Sequence, residues 1–146
     1  IFEDAGWTAD TQVPELAAPV GQALLEPHIC YVNPVVSLLD AVPVRAMAHI
    51  TGGGLRDNLP RSLPEGTGAA IRRGSWTAPP IFDLLKRLGD VPDEEMYQVF
   101  NMGVGMVVIV PQDQADSAVN HLRESGQAAT IIGEVVKDAD HAVKIG

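Results

Sequence analysis

The chain has 146 residues, 46% of them hydrophobic and 20% charged, an ordinary balance for one folded domain with a core of its own. Its formal net charge is −9, from 19 acidic and 10 basic side chains, which argues against a general binder of nucleic acid or of an anionic membrane, since both need a basic face. Cys30 is the only cysteine, so no disulfide forms within the chain and no zinc pattern exists. Among apolar neighbours Cys30 reads as a buried structural thiol rather than a nucleophile. The longest apolar stretch, Val104 to Val110, is far too short to span a bilayer. No signal peptide is present, so a reduced cytoplasmic setting is expected. Ile1 is not an initiator methionine, and the chain reads as a piece of a longer protein.

In chain order, residues 1–13 form an entry segment, and Pro14 opens a short helix or pair of turns interrupted at Pro19 and stopped at Pro27. Ile29 to Val32 is extended. Asn33-Pro34 caps a helix of about two turns that runs from Val35 to Ala41. A buried strand over Val44 to Ile50 feeds Gly52-Gly53-Gly54, and Asp57 to Leu63 forms a short helix broken at Pro60. Thr67 to Arg72 is a strand. Pro79-Pro80 opens a helix from Ile81 to Leu88 whose apolar residues fit a helical period, with Gly89 as its terminator. The next helix starts at Pro92, carries Asp93, Glu94 and Glu95 at its N-terminus and ends near Asn101. Val104 to Val110 has the composition of a central strand covered on both faces. Asp113 to Ser125 is a helix with Ala115, Ala118, Val119 and Leu122 as its stripe and Gly126 as its stop. Ala128 to Val136 is a strand with Gly133 at a bulge, and Ala142 to Ile145 a last strand, hairpinned through Asp138-Ala139-Asp140. Helices and strands alternate, with no internal repeat and no low-complexity linker. The expected fold is α/β (α+β-like), one domain over 1–146, with a mixed sheet flanked by helices in layers.

The chemistry gathers around Ala46 to Arg61. A strand ends at His49, and a Gly run at a strand-to-helix corner lets backbone approach a ligand closely. A helix opening just beyond it leaves N–H groups suited to an anion such as phosphate. A tight turn is the plainer reading of three glycines. The flanking His49, Thr51, Asn58 and Arg61 favour a site. His49 is either a satisfied core residue or an acid/base at a strand end, where ligands of α/β sheets collect. Asn58 can cap a helix, fix the loop or bind a substrate amide; Asp57 is an N-cap or, as the alternative, a metal ligand. Arg56, Arg61, Arg72 and Arg73 are surface cations unless a ligand claims one. A second pair of glycines, Gly103 and Gly105 beside Asn101, sits where a helix hands over to a strand and would line the same pocket. The Asp93, Glu94 and Glu95 cluster is a set of helix-dipole partners. No dinucleotide fingerprint, Walker A pattern or Gly-x-Ser-x-Gly elbow occurs, and no metal-ligand set is visible. These residues describe a pocket for a small anionic or phosphorylated ligand and specify no reaction.

The run His-Ile-Thr-Gly-Gly-Gly-Leu-Arg-Asp-Asn-Leu-Pro-Arg (49–61) closely resembles the signature of the aminoimidazole ribonucleotide (AIR) synthetase family, the phosphoribosylformylglycinamidine cyclo-ligases. Leu63-Pro64, Trp76, Pro79-Pro80-Ile-Phe82, Gly89-Asp-Val91, Glu95-Met-Tyr97 and Phe100-Asn-Met-Gly-Val-Gly-Met106 agree in order and spacing, as does Leu24 to Val32 upstream. The resemblance covers nearly the whole chain and corresponds to the family's C-terminal half. It implies ATP-dependent ring closure of formylglycinamidine ribonucleotide to AIR, ADP and phosphate in de novo purine biosynthesis. The formamide oxygen would be phosphorylated before the amidine-side nitrogen attacks. It further implies ATP and Mg2+ held mainly by an N-terminal domain outside this chain, and a cytoplasmic homodimer whose active site lies between the two domains. By resemblance, His49 is the acid/base or transition-state donor, and Thr51, Gly52, Gly53 and Gly54 form an anion cradle. Asn58 and Arg61 orient or clamp the substrate, and Asn101, Gly103 and Gly105 line the wall. Selenophosphate synthetase, thiamine-phosphate kinase and formylglycinamidine synthetase share the two-domain architecture. One of these, or a non-catalytic small-anion-binding module, is the alternative.

Overall fold

A computed structural model describes residues 37–146. The chain separates into two units, Ile1–Ser37 and Leu38–Gly146, and the second is the one described. The readings placed on 1–36, including the Pro14 helix, the Ile29 to Val32 strand, the Asn33-Pro34 cap and Cys30, lie outside the described residues.

Residues 37–41 are helical. Strand β1 (Ala46–His49) then runs into a short helix α1 (Gly54–Asn58) and a 3-10 turn over Pro60–Ser62. Strand β2 (Thr67–Ile71) is followed by helices α2 (Pro80–Gly89) and α3 (Asp93–Val99). The order closes with β3 (Met106–Ile109), α4 (Ala115–Glu124), β4 (Gly133–Lys137) and β5 (Val143–Ile145). Among the described residues β1 and β3 form an antiparallel pair, and β4, β2 and β5 a three-stranded sheet. That sheet is mixed: β2 pairs antiparallel with β4 and parallel with β5.

The antiparallel pair is covered on both faces, as the unbroken apolar sequence of β3 requires. Ala48 and Val107 join Ile50, Leu55, Leu59, Leu63, Ala69, Ile71 and Val143 in one cluster. On the opposite side Val44, Val108 and Val110 pack with Leu38, Val42, Ala118 and Leu122. The α4 stripe expected from the sequence is thus half in place, through Ala118 and Leu122. Helix α4 ends with the Gln127 N–H bonded back to Leu122 O at 2.9 Å, past Gly126, in the Schellman manner.

Several expectations shift. The helix after the Gly run starts three residues early, at Gly54, and Pro60 converts its continuation into the 3-10 turn because a proline cannot donate to the preceding turn. Helix α2 is capped by left-handed Asp90 at φ 48 rather than by Gly89. Gly133 opens β4 instead of bulging inside it. The expected β4–β5 hairpin does not form, because β2 lies between the two strands. The chain from β4 passes over the start of β2 at Gly68, where a Cβ would collide with Ala142 O and stand 2.9 Å from Asp138 Cβ. Only a residue without a side chain leaves that crossing open.

Candidate functional site

Strand β1 delivers His49 to its last position, opposite Met106 of β3, and the Ile50 N–H donates to Gly105 O at 2.9 Å. Alternation then sorts the side chains, as a strand must: Ala48 and Ile50 are buried while His49 is exposed. The imidazole therefore belongs to the surface at the strand end, not to the core.

Thr51 and Gly52 follow, both exposed, with nothing within 4 Å of the place a Gly52 side chain would occupy. The chain then turns in. Gly53 (φ 87) and Gly54 (φ 57) are left-handed. The Gly53 N–H donates to Val99 O at 3.2 Å and the Gly54 N–H to Thr51 O at 3.1 Å, so both are bonded within the protein. A Cβ on Gly54 would stand 2.6 Å from Phe100 O and 2.8 Å from Tyr97 O. Gly54 is the point where α1 lies against the end of α3.

Asn58 is 5% exposed, and its amide is spent on this loop. Its Nδ2 donates to Gly52 O (3.1 Å) and Gly54 O (2.8 Å), and its Oδ1 accepts from the Thr51 hydroxyl (3.2 Å). Of the three readings open to Asn58, loop fixing is the one these bonds describe. Asp57 does not cap α1, whose N-cap is Gly53; its Oδ1 accepts from Gln98 Nε2 at 3.1 Å. Arg61 projects, exposed, from the 3-10 turn, which is tied to β1 by the Ser62 hydroxyl on Met47 O at 2.8 Å.

The second glycine pair comes to the same strand end. Asn101 Oδ1 accepts from the Gly103 N–H at 3.0 Å, Val104 N–H returns to Asn101 O at 2.9 Å, and Trp76 Nε1 holds Met102 O at 2.9 Å. Gly103 (φ 90) lies against the Pro79 ring. Through Gly105 this turn is hydrogen-bonded directly to the His49–Thr51 segment. The fold thus brings together His49, Thr51, Gly52, Gly53, Gly54, Asn58 and the Asn101–Gly105 turn. Arg61 shares no hydrogen bond or ion pair with them among the described residues.

Sequence reasoning missed the ionic clamp behind the site. Glu94 accepts from Arg56 Nη2 at 2.7 Å and from Arg73 Nη2, and the Arg73 guanidinium lies 4.5 Å over the Tyr97 ring. Arg73, then Arg56, hold the Glu94 carboxyl below its usual range. Asp93 is likewise lowered by the hydrogen bond it accepts from Lys86, which is raised in return. Separations of 38 and 21 residues left no local signal for the clamp. A cavity of about 320 Å³ lined by Arg45, Ala46, Ser62, Thr67 and Val135, among others, opens at the other end of β1, away from His49. Among the described residues no group of three or more His, Cys, Asp or Glu is placed to hold a metal ion. No helix among them is long and apolar enough to cross a membrane.

The fold is an α/β domain whose candidate site lies exposed at the end of β1. The chain belongs to the family described as AIR synthase related protein, C-terminal domain, which it matches over residues 1–146. It is similar to the phosphoribosylformylglycinamidine cyclo-ligase of Bifidobacterium animalis subsp. lactis, 46% identical over 146 residues, 99% of this chain and 42% of that protein. The protein of the same name from Bacillus thuringiensis subsp. konkukian is 47% identical over 139 residues, 95% of this chain and 40% of that protein. The chain spans about two fifths of the length of the curated relatives it matches.

Proposed function

We propose that residues 1–146 form one domain, the C-terminal part of a cyclo-ligase that converts formylglycinamidine ribonucleotide and ATP to AIR, ADP and phosphate. The observation that carries this reading is the match of essentially the whole chain to relatives bearing that name at 46–47% identity. The substrate is a phosphorylated ribonucleotide that carries a neutral formamide and an amidine. It needs room at the backbone, a cation and a group that moves a proton. Gly52 provides the room, since open space surrounds the place its side chain would take. Arg61, exposed on its turn, is the cation. His49 exchanges a proton with the reacting nitrogen or oxygen through an exposed imidazole. Thr51, its hydroxyl proton given to Asn58 Oδ1, offers its remaining lone pairs to an N–H or hydroxyl of the substrate. Gly53, Gly54 and Asn58 shape the cradle from within, and Asn101, Gly103 and Gly105 are the adjoining wall.

ATP with Mg2+, bound mainly by the preceding domain, supplies the phosphoryl group that activates the formamide oxygen. The working protein is a cytoplasmic homodimer with the site between its two domains. The test uses the protein extended by the preceding part that its relatives carry. Purified, it closes the ring in an ATP-dependent manner, and His49→Ala lowers kcat by about 10²-fold or more with an unchanged melting temperature. A folded, extended protein with no ring closure overturns the proposal. Equal loss of activity and stability in His49→Ala would return His49 to a structural role.

A further inference from the structure

His141 lies between β4 and β5, half-buried, with a left-handed backbone at φ 55. A residue with a side chain stays in that region only when its surroundings hold it there. Here the ring does so. Nδ1 is 2.6 Å from Thr67 O and Nε2 is 2.8 Å from Pro60 O. Both partners are backbone carbonyls, which only accept. A neutral imidazole has one N–H and one lone pair, so it would set that lone pair against a carbonyl. The imidazolium donates from both nitrogens and satisfies both contacts. Pro60 O also accepts from the Leu63 N–H at 3.0 Å, which its second lone pair allows.

We infer that His141 donates from both ring nitrogens to these two carbonyls, a staple that fixes the Pro60–Ser62 turn to the start of β2. The turn carries Arg61, so the consequence for the site rests on the function proposed above. The staple itself does not. The charged groups on the elements that meet there are Asp138 and Asp140 on its own loop, Lys144 on β5, Lys137 on β4, Arg61 on the turn and Glu65 ahead of β2. Asp138 is lowered by the hydrogen bond from Lys144, and Lys144 is raised by Asp138, so neither changes charge between about pH 5.5 and 8.

Ring-nitrogen NMR on the 15N-labelled protein tests the staple directly. At pH 6 both nitrogens of His141 give protonated-nitrogen shifts; an imine-type nitrogen at either position overturns it. His141→Gln, which keeps one donor and loses the second, is expected to melt about 3–6 °C below the parent at pH 5.5. A melting temperature level with the parent's overturns the staple. In the same variant at pH 5.5 the Ser62 and Leu63 amides exchange about tenfold faster; unchanged exchange overturns the fixing of the turn. Should the variant not fold, the parent's ring nitrogens decide alone.

Discussion

Asn58 shows how a residue inside a sequence signature can be spent on its own loop. All three of its hydrogen bonds return to the Thr51–Gly54 loop, so removing the amide leaves two carbonyls and a hydroxyl to find new partners. Asn58→Ala is expected to destabilise the protein by about 2–3 kcal/mol, measured by urea unfolding, and to weaken substrate binding only through the loosened loop. Gly54 is constrained more severely. Its backbone is left-handed, and a Cβ would press on Tyr97 O and Phe100 O. Gly54→Ala should cost about 3 kcal/mol or more, while Gly52→Ala, in open space, should leave stability within about 0.5 kcal/mol. If the two alanines cost the same, the division of the Gly run into an outer and an inner part is wrong.

At the scale of elements, α3 holds α1 by charge as well as by packing. Glu94 titrates below its ordinary value in the folded protein because Arg73 and Arg56 stabilise the carboxylate. A lowered folded value means the contribution is complete above the unfolded value near 4.5 and is lost as pH falls through the folded one. Melting temperature against pH should therefore drop more steeply for the parent than for Glu94→Gln below the unfolded value near 4.5, with the two curves converging as pH falls through the folded value. Parallel curves would remove the clamp from the account. Helix α2 behaves unlike its sequence. Its Ile81, Leu84, Leu85 and Leu88 are exposed, while Phe82 is the side chain turned to Phe100, at 5.9 Å between ring centroids. Leu88, 78% exposed, should accept lysine with a stability change within about 0.5 kcal/mol, read by chemical denaturation.

At the scale of the molecule, the proposed site is, among the described residues, a surface and not a cleft. His49, Thr51 and Gly52 are all exposed, and an exposed wall cannot exclude water from a phosphorylated intermediate. The 146-residue chain alone is accordingly expected to form no AIR from ATP and formylglycinamidine ribonucleotide. Measurable product from the purified chain would show that this wall suffices.

Local chemistry made much of this legible in advance. The alternation around Ala48, His49 and Ile50, the unbroken apolar run of β3, the α4 stripe and the glycine corner are all short-range patterns, and each governs geometry within a few residues of itself. The signature from His49 to Arg61 likewise pointed to the family that the whole chain matches. Tertiary structure decided whatever depends on partners distant in sequence. It placed β2 between β4 and β5, turned the Asn58 amide inward, gave Glu94 to two arginines and set both nitrogens of His141 on carbonyls 74 and 81 residues away. A hydrogen bond or ion pair has no sequence period, so only the folded chain determines which donor meets which acceptor.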